Sequence, residues 1–221
     1  MSDEIRHECG IAFLRLRKPL SYFHQTYGTA FYGLNKLYLM MEKQHNRGQD
    51  GAGIVTVKLD VQAGTPFMKR IRCNSGQNIA DIFKQVQVEV EEVEKLQPDI
   101  RNYPELLKGY LSYMGEVMMG HLRYGTQGRN NIEYCHPFVK SDINPTLNLS
   151  LAGNFNLVNT KDLFHFVEKD ALATVKADSD LSAMMEVIHY FLREEEKKKE
   201  PTINWQNVLS KACEMFDGGF V

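Results

Sequence analysis

Four cysteines punctuate the 221-residue chain, Cys9, Cys73, Cys135 and Cys213, and no two of them form a CxxC pair. That spacing supports neither a zinc site nor a disulfide framework. A thiol is a poor nucleophile until a base takes its proton, and a lone cysteine is in most proteins a small buried side chain. Cys73, Cys135 and Cys213 are read that way. Cys9 stands apart because it opens the apolar run CGIAFLRL and because four other segments carry dense polar chemistry: RGQDGAG at 47–53, GHLRYGTQG at 120–128, NFNLVN at 154–159 and DSD at 178–180.

The elements that must position these segments follow from periodicity. Residues 9–16 and 51–59 read as buried strands, 67–72 as a shorter one, and 115–124 and 147–158 as two unusually apolar ones. Residues 29–45 form a helix with Phe31, Leu34, Tyr38 and Met41 at helical spacing, stopped by Asn46-Arg47-Gly48. The clearest helix spans 78–96, with Ile79, Ile82, Phe83, Val86, Val90 and Val93 on one stripe and glutamates opposite. Further helices are expected at 104–114, 179–197 and 205–216. The EEEKKK block at 194–199 reads as a solvated helix end, with lysines placed favourably against the dipole. Strands in clusters, with helices between the clusters, suggest antiparallel sheets covered by helices, an α+β fold.

Composition narrows the function classes. With 43% apolar residues the chain can bury a sizeable core. A formal net charge of −2 leaves no electrostatic footprint for nucleic acid or an anionic membrane. No stretch approaches the roughly 20 apolar residues of a membrane span, and the N-terminus lacks a signal-peptide core, so a cytoplasmic location is expected.

Taken in order, Cys9-Gly10-Ile11 and the four polar segments resemble the motifs of the class II glutamine amidotransferases: RGQ-D/E-x-AG, G-H-x-R-[WY]-x-T-x-G, N-G-N-L-x-N and D-[ST]-[DE]. Within that family NLVN, DSD and the stretch preceding the cysteine are most similar to the amidophosphoribosyltransferase branch, which serves de novo purine synthesis. The resemblance covers nearly the whole chain. The stretch 65–115 is longer than the family usually has and is assigned no role.

The resemblance implies an N-terminal nucleophile hydrolase, a four-layer αββα sandwich of two antiparallel sheets. It implies catalysis by Cys9, with the Asn154 side chain and the Phe155 backbone N–H as oxyanion donors. Arg123 would meet the α-carboxylate of glutamine, assisted by Thr126 and the backbone near Gln127, and Asp178 would meet its α-ammonium. If Cys9 is the first residue, its own α-amine, titrating near 7.7–8.0, can serve as base. None of the seven histidines is then needed for catalysis. Arg47 and Gln49 are expected to brace the site, and His121 and His136 to be structural. The family's usual glycine is Phe155 here, preceded by Gly153 where a histidine is usual. A backbone N–H survives that change, but a positive φ at Phe155 would be strained.

The expected organisation is a leader over 1–8 and a glutaminase domain over 9–221, cut short inside a last strand that begins at Gly218. A phosphoribosyltransferase domain is expected to be absent from this stretch. Glutamine is the expected substrate, an ammonia-accepting synthase domain the partner, a homo-oligomer the assembly, and no cofactor is implied. Alternatives are an aminosugar, asparagine or glutamate synthase branch with a different acceptor, or a catalytically silent assembly module.

Overall fold

A computed structural model describes residues 8–125, 131–169 and 179–220. The chain divides into two compact units, Met1–Pro137 and Phe138–Val221.

The first unit is built on a four-stranded antiparallel sheet in the order β1-β4-β2-β3, from strands Gly10–Arg15 (β1), Gly51–Val57 (β2), Met68–Cys73 (β3) and Val117–Arg123 (β4). β2 lies inside the sheet and is buried from Gly51 to Thr56, which is why its sequence is apolar without alternation. β1 is an edge strand and alternates, Gly10 and Ala12 inward, Ile11 and Phe13 outward. Helices Tyr32–Glu42 (α2) and Asn78–Leu96 (α3) pack on the sheet through Leu34, Leu37, Met41, Ile79, Ile82 and Val86. Helices Leu20–Tyr27 (α1) and Pro104–Tyr110 (α4) close a neighbouring cluster around Leu20, Val90, Leu107 and Met114.

α3 has the bounds its periodicity dictates. The reading of 29–45 as one helix is corrected: α2 is shorter, and α1 precedes it, separated by Gly28 in the left-handed region (φ 71°). α4 ends at Tyr110 rather than 114, because Leu111 is extended. A buried ion pair ties it to the sheet. Lys108 Nζ lies 2.7 Å from Glu116 Oε1 and donates to the Leu59 carbonyl at 2.8 Å, while Glu116 Oε2 accepts from Leu59 N–H at 2.8 Å.

Among the described residues the second unit holds two antiparallel strand pairs and three α-helices. Strand Phe138–Lys140 (β5) pairs with Leu149–Leu151 (β6), and Phe155–Leu157 (β7) with Gly218–Phe220 (β8). Residues 147–158 are therefore not one strand. A 3₁₀ turn ends at Leu147, and residues 152–154 separate β6 from β7, placing them in different sheets. The turn is held by Asn148, whose side-chain amide donates to the carbonyls of Asp142 and Asn144 at 3.0 Å each. Helices Thr160–Lys169 (α5), Asp180–Glu196 (α6) and Trp205–Cys213 (α7) share a core through Leu163, Val167, Val187, Leu192, Val208 and Ala212. α5, like β5, has no counterpart in the elements expected above. In the EEEKKK block Glu194 and Glu195 pair with Lys197 and Lys198, but Glu195 is buried and also accepts from Asn207 of α7.

Among the described residues no helix is long and apolar enough to cross a membrane. The α+β class and antiparallel pairing are as expected, and the four-stranded sheet with two smaller ones is compatible with an N-terminal nucleophile hydrolase sandwich.

Candidate active site

The end of β4 gathers the first unit's polar chemistry. β1 and β4 pair antiparallel with Gly10 opposite Leu122, which sets Cys9 beside the last residues of β4. Instead of continuing the ladder, the Cys9 sulfur takes the Tyr124 backbone. Tyr124 N–H donates to Sγ at 3.5 Å, and the thiol faces the Tyr124 carbonyl at 4.0 Å. Burial pushes the Cys9 thiol above its usual range, against the opposing pull of the Tyr124 backbone bond and the positive charge of Arg123. A thiol so raised is protonated at neutral pH, so nucleophilic chemistry here requires a base.

Arg123 is 6% exposed. Its guanidinium folds over Gly125, where an added Cβ would stand 3.2 Å from Nη1, and sits 5.8 Å from the Tyr134 ring centre. It also lies against Cys135, whose thiol burial pushes up and Arg123 pulls down. A planar guanidinium held this way, in a poorly solvated setting, suits bidentate pairing with a carboxylate.

The segment 47–53 forms the other wall. An added Cβ at Gly48 would lie 2.6 Å from the Leu122 carbonyl oxygen and from the Arg123 carbonyl carbon, so only glycine admits this approach to β4. The Gln49 carbonyl accepts from the Asn78 side chain at 2.9 Å, tying the segment to α3. Arg47, exposed, pairs with Glu8 at 3.6 Å. A cavity of about 360 Å³ opens beside this segment, lined by Glu42, His45, Gln49 and Asn78 among others. His121 is fully buried, its ring centre 4.4 Å from that of His136 and tilted 42° to it.

The second unit carries the 154–159 segment. Phe155 begins β7, paired with Phe220, in extended backbone. Among the described residues only Asp60 and Lys199 are non-glycine residues with positive φ, so the strain anticipated for Phe155 does not arise. Asn154 stands exposed just ahead of the strand. Asp180 holds the segment: its carboxylate accepts from Leu157 N–H and from the Thr160 hydroxyl, both at 2.9 Å. Ser179 caps α6, its hydroxyl accepting from Ser182 N–H at 3.3 Å.

The structure thus brings Cys9 and Arg123 together at one strand end, and it places Asn154 and Phe155 on the second unit. Thr126, Gln127 and Asp178 lie outside the described residues. Cys73 and Cys135 are buried as expected, whereas Cys213 is exposed, on the outer face of α7. Two residues escaped the sequence reading. Asp50 and Asp180 both sit inside quoted motifs, but only side-chain hydrogen bonds to distant backbone reveal their work, and spacing does not encode those.

No protein-family model matches the chain. Its curated relatives include the amidophosphoribosyltransferase of Schizosaccharomyces pombe, 29% identical over 215 residues covering 96% of this chain and 32% of that protein. The amidophosphoribosyltransferase of Methanocaldococcus jannaschii is 30% identical over 152 residues, 68% of this chain and 25% of that protein. The glutamine–fructose-6-phosphate aminotransferase of Encephalitozoon cuniculi is 33% identical over 107 residues, 48% and 15% respectively. The chain spans at most about a third of the length of these relatives. The matches to amidophosphoribosyltransferases cover most of the chain and fall on their glutaminase region, and with Cys9, Arg123 and the 47–53 wall gathered at one strand end they make this chain a relative of the class II glutamine amidotransferases.

Proposed function

We propose that the chain hydrolyses glutamine to glutamate and ammonia with Cys9 as nucleophile, and that the ammonia serves phosphoribosyl diphosphate amination in purine synthesis. The observation that carries this reading is the meeting of the Cys9 sulfur and the Arg123 side chain at the end of β4. Arg123 pairs with the glutamine α-carboxylate, assisted by Thr126 and the Gln127 backbone, and Asp178 takes the α-ammonium. The sulfur attacks the side-chain amide carbon, and its proton passes to the Cys9 α-amine. The oxyanion accepts hydrogen bonds from the Asn154 amide and Phe155 N–H. The amine proton then leaves with ammonia, and water hydrolyses the thioester to glutamate.

This chemistry needs the Cys9 nitrogen as an amine, whereas Glu8 acylates it in the sequence. An amide nitrogen has no basic lone pair, so residues 1–8 act as a leader cut at the Glu8–Cys9 bond. Residues 9–221 are the glutaminase domain, built toward a four-layer αββα sandwich. They work in the cytoplasm with an ammonia-accepting synthase domain and as a homo-oligomer. Similarity to the aminotransferase supports a second reading, in which the acceptor is a sugar phosphate of the fructose 6-phosphate type.

A chain beginning at Cys9 tests the core of the proposal. A glutamine analogue with a diazoketone at the side-chain carbonyl is expected to label Cys9 and no other cysteine, and Cys9→Ala is expected to abolish glutamine hydrolysis. Hydrolysis retained in Cys9→Ala overturns it. Formation of phosphoribosylamine, against aminosugar phosphate, by the chain joined to its acceptor domain separates the two acceptors.

A further inference from the structure

β2 and β4 pair in register only as far as Gly51 opposite Arg123. Residues 124 and 125 follow directly on that last rung, in the place where the Cys9 sulfur and the Arg123 guanidinium take their positions. Asp50 holds this backbone from both its ends. Its own N–H donates to the Arg123 carbonyl at 3.0 Å, and its carboxylate Oδ2 accepts from Gly125 N–H at 2.8 Å. Tyr124 is thus clasped on either side. Its N–H is the group that meets Cys9 Sγ, and Gly125 is the surface over which the Arg123 guanidinium folds.

We propose that Asp50 is a positioning residue that extends the β2–β4 ladder by one side-chain bond and thereby aims the Tyr124 N–H at the Cys9 sulfur and seats Arg123. The proposal rests on the reading of Cys9 as the nucleophile. It adds that the sulfur's thiolate is stabilised by a backbone donor whose direction Asp50 sets. A hydrogen bond to the charged form favours it, so loosening that donor disfavours the thiolate. Asp50 acts through the bond, since its carboxylate is engaged at the Gly125 N–H. First-rank groups lose function when the shell that supports them is slack.

The test is the pH profile of iodoacetamide alkylation at Cys9 in the full 221-residue chain, followed by peptide mass mapping, with exposed Cys213 as internal control. Asp50→Ala is expected to move the Cys9 profile upward by about half a unit, or slow alkylation about threefold at a fixed pH below the midpoint. Asp50→Asn keeps an acceptor oxygen and is expected to restore the wild-type profile, with Cys213 unchanged in both. Hydrogen exchange on the unaltered chain gives a measurement that needs no variant: the Gly125 amide is expected to be protected. An unshifted Asp50→Ala profile, an equal shift in Asp50→Asn, or an unprotected Gly125 amide each overturns the proposal. None of these readouts depends on glutamine turnover. If instead Cys9→Ala retains hydrolysis, it is the catalytic reading of Cys9 that fails.

Discussion

The Asp180 clamp lends itself to a quantitative test, because the chain's single tryptophan, Trp205, starts α7 in the same unit. Asp180→Ala removes two hydrogen bonds to an ionised acceptor, those from Leu157 N–H and the Thr160 hydroxyl. Hydrogen bonds to charged groups contribute about 1.5–3 kcal/mol each. Asp180 is only half-buried, so water replaces part of the loss, and the lower end applies: about 3 kcal/mol for both together. With a urea slope of about 1.5 kcal/mol per M for a unit of this size, the Trp205 fluorescence midpoint is expected to fall by about 2 M. Asp180→Asn and Thr160→Val each spare one bond and are expected to cost about half as much. In the double variant the coupling shows whether the two groups share one bond. A midpoint for Asp180→Ala within about 0.3 M of wild type, on that same slope, refutes the reasoning. It would mean that the 154–159 segment is held by its other bonds, such as the pairing with β8 and those of Asn159 to Met215 and Asp217.

Four further outcomes are expected from the geometry and the proposed substrate roles. Gly48→Ala drives a Cβ into β4 backbone and is expected to cost about 1–3 kcal/mol in chemical unfolding, with glutaminase kcat/KM falling alongside. Arg123→Ala and Asp178→Ala are each expected to lower kcat/KM for glutamine by about ten- to a hundredfold, from the loss of one charge-assisted contact; wild-type values in both would remove them from the site. His189 is buried in α6 and its pKa is lowered, chiefly by desolvation and then by the charge of Lys140, while its Nε2 lies 3.1 Å from the Leu147 carbonyl oxygen. Its neutral form is favoured on folding, so the stability it contributes is present above about pH 6.5 and lost as pH falls through the lower folded value; urea midpoints read at Trp205 are expected to drop between pH 7 and 5, and His189→Gln to flatten that slope. Toward iodoacetamide at pH 7.5, Cys213 is expected to react first and buried Cys73 and Cys135 only on unfolding, as peptide mapping over time will show.

How much of this was legible in the sequence depends on what fixed each feature. α3 was readable to the residue because six apolar positions share a face, and periodicity is a local property. β2 and β4 were readable because strands covered on both faces become continuous apolar runs. The span 147–158 misled because Leu147, Leu149, Leu151, Phe155 and Leu157 keep one alternation running through it, whereas its division at residues 152–154 follows from two different partners, Phe138–Lys140 and Gly218–Phe220. α1 was missed because its buried face amounts to Leu20 and Phe23, too little for a periodic signal. At the site, side-chain types and motif order pointed to Cys9 and Arg123. The roles of Asp50 and Asp180 depend on which backbone amide each carboxylate reaches, and that exists only in three dimensions.

The ion pair of Lys108 and Glu116 bears on how the long stretch 65–115 can be altered. That stretch looked like an insertion without a task, yet it delivers α3 to the sheet face and Lys108 to a carboxylate on the segment leading into β4. Trimming it toward a shorter loop would leave Glu116 charged and enclosed beside Leu59, a defect of about 3–5 kcal/mol for a single lost partner. Exchange of both residues for apolar side chains of similar volume would be nearly neutral by the same reasoning. Positions 108 and 116 can therefore drift only in concert. Shortened versions of this chain are best engineered by resecting α4 and replacing Glu116 in one step, never by deletion first and repair afterwards.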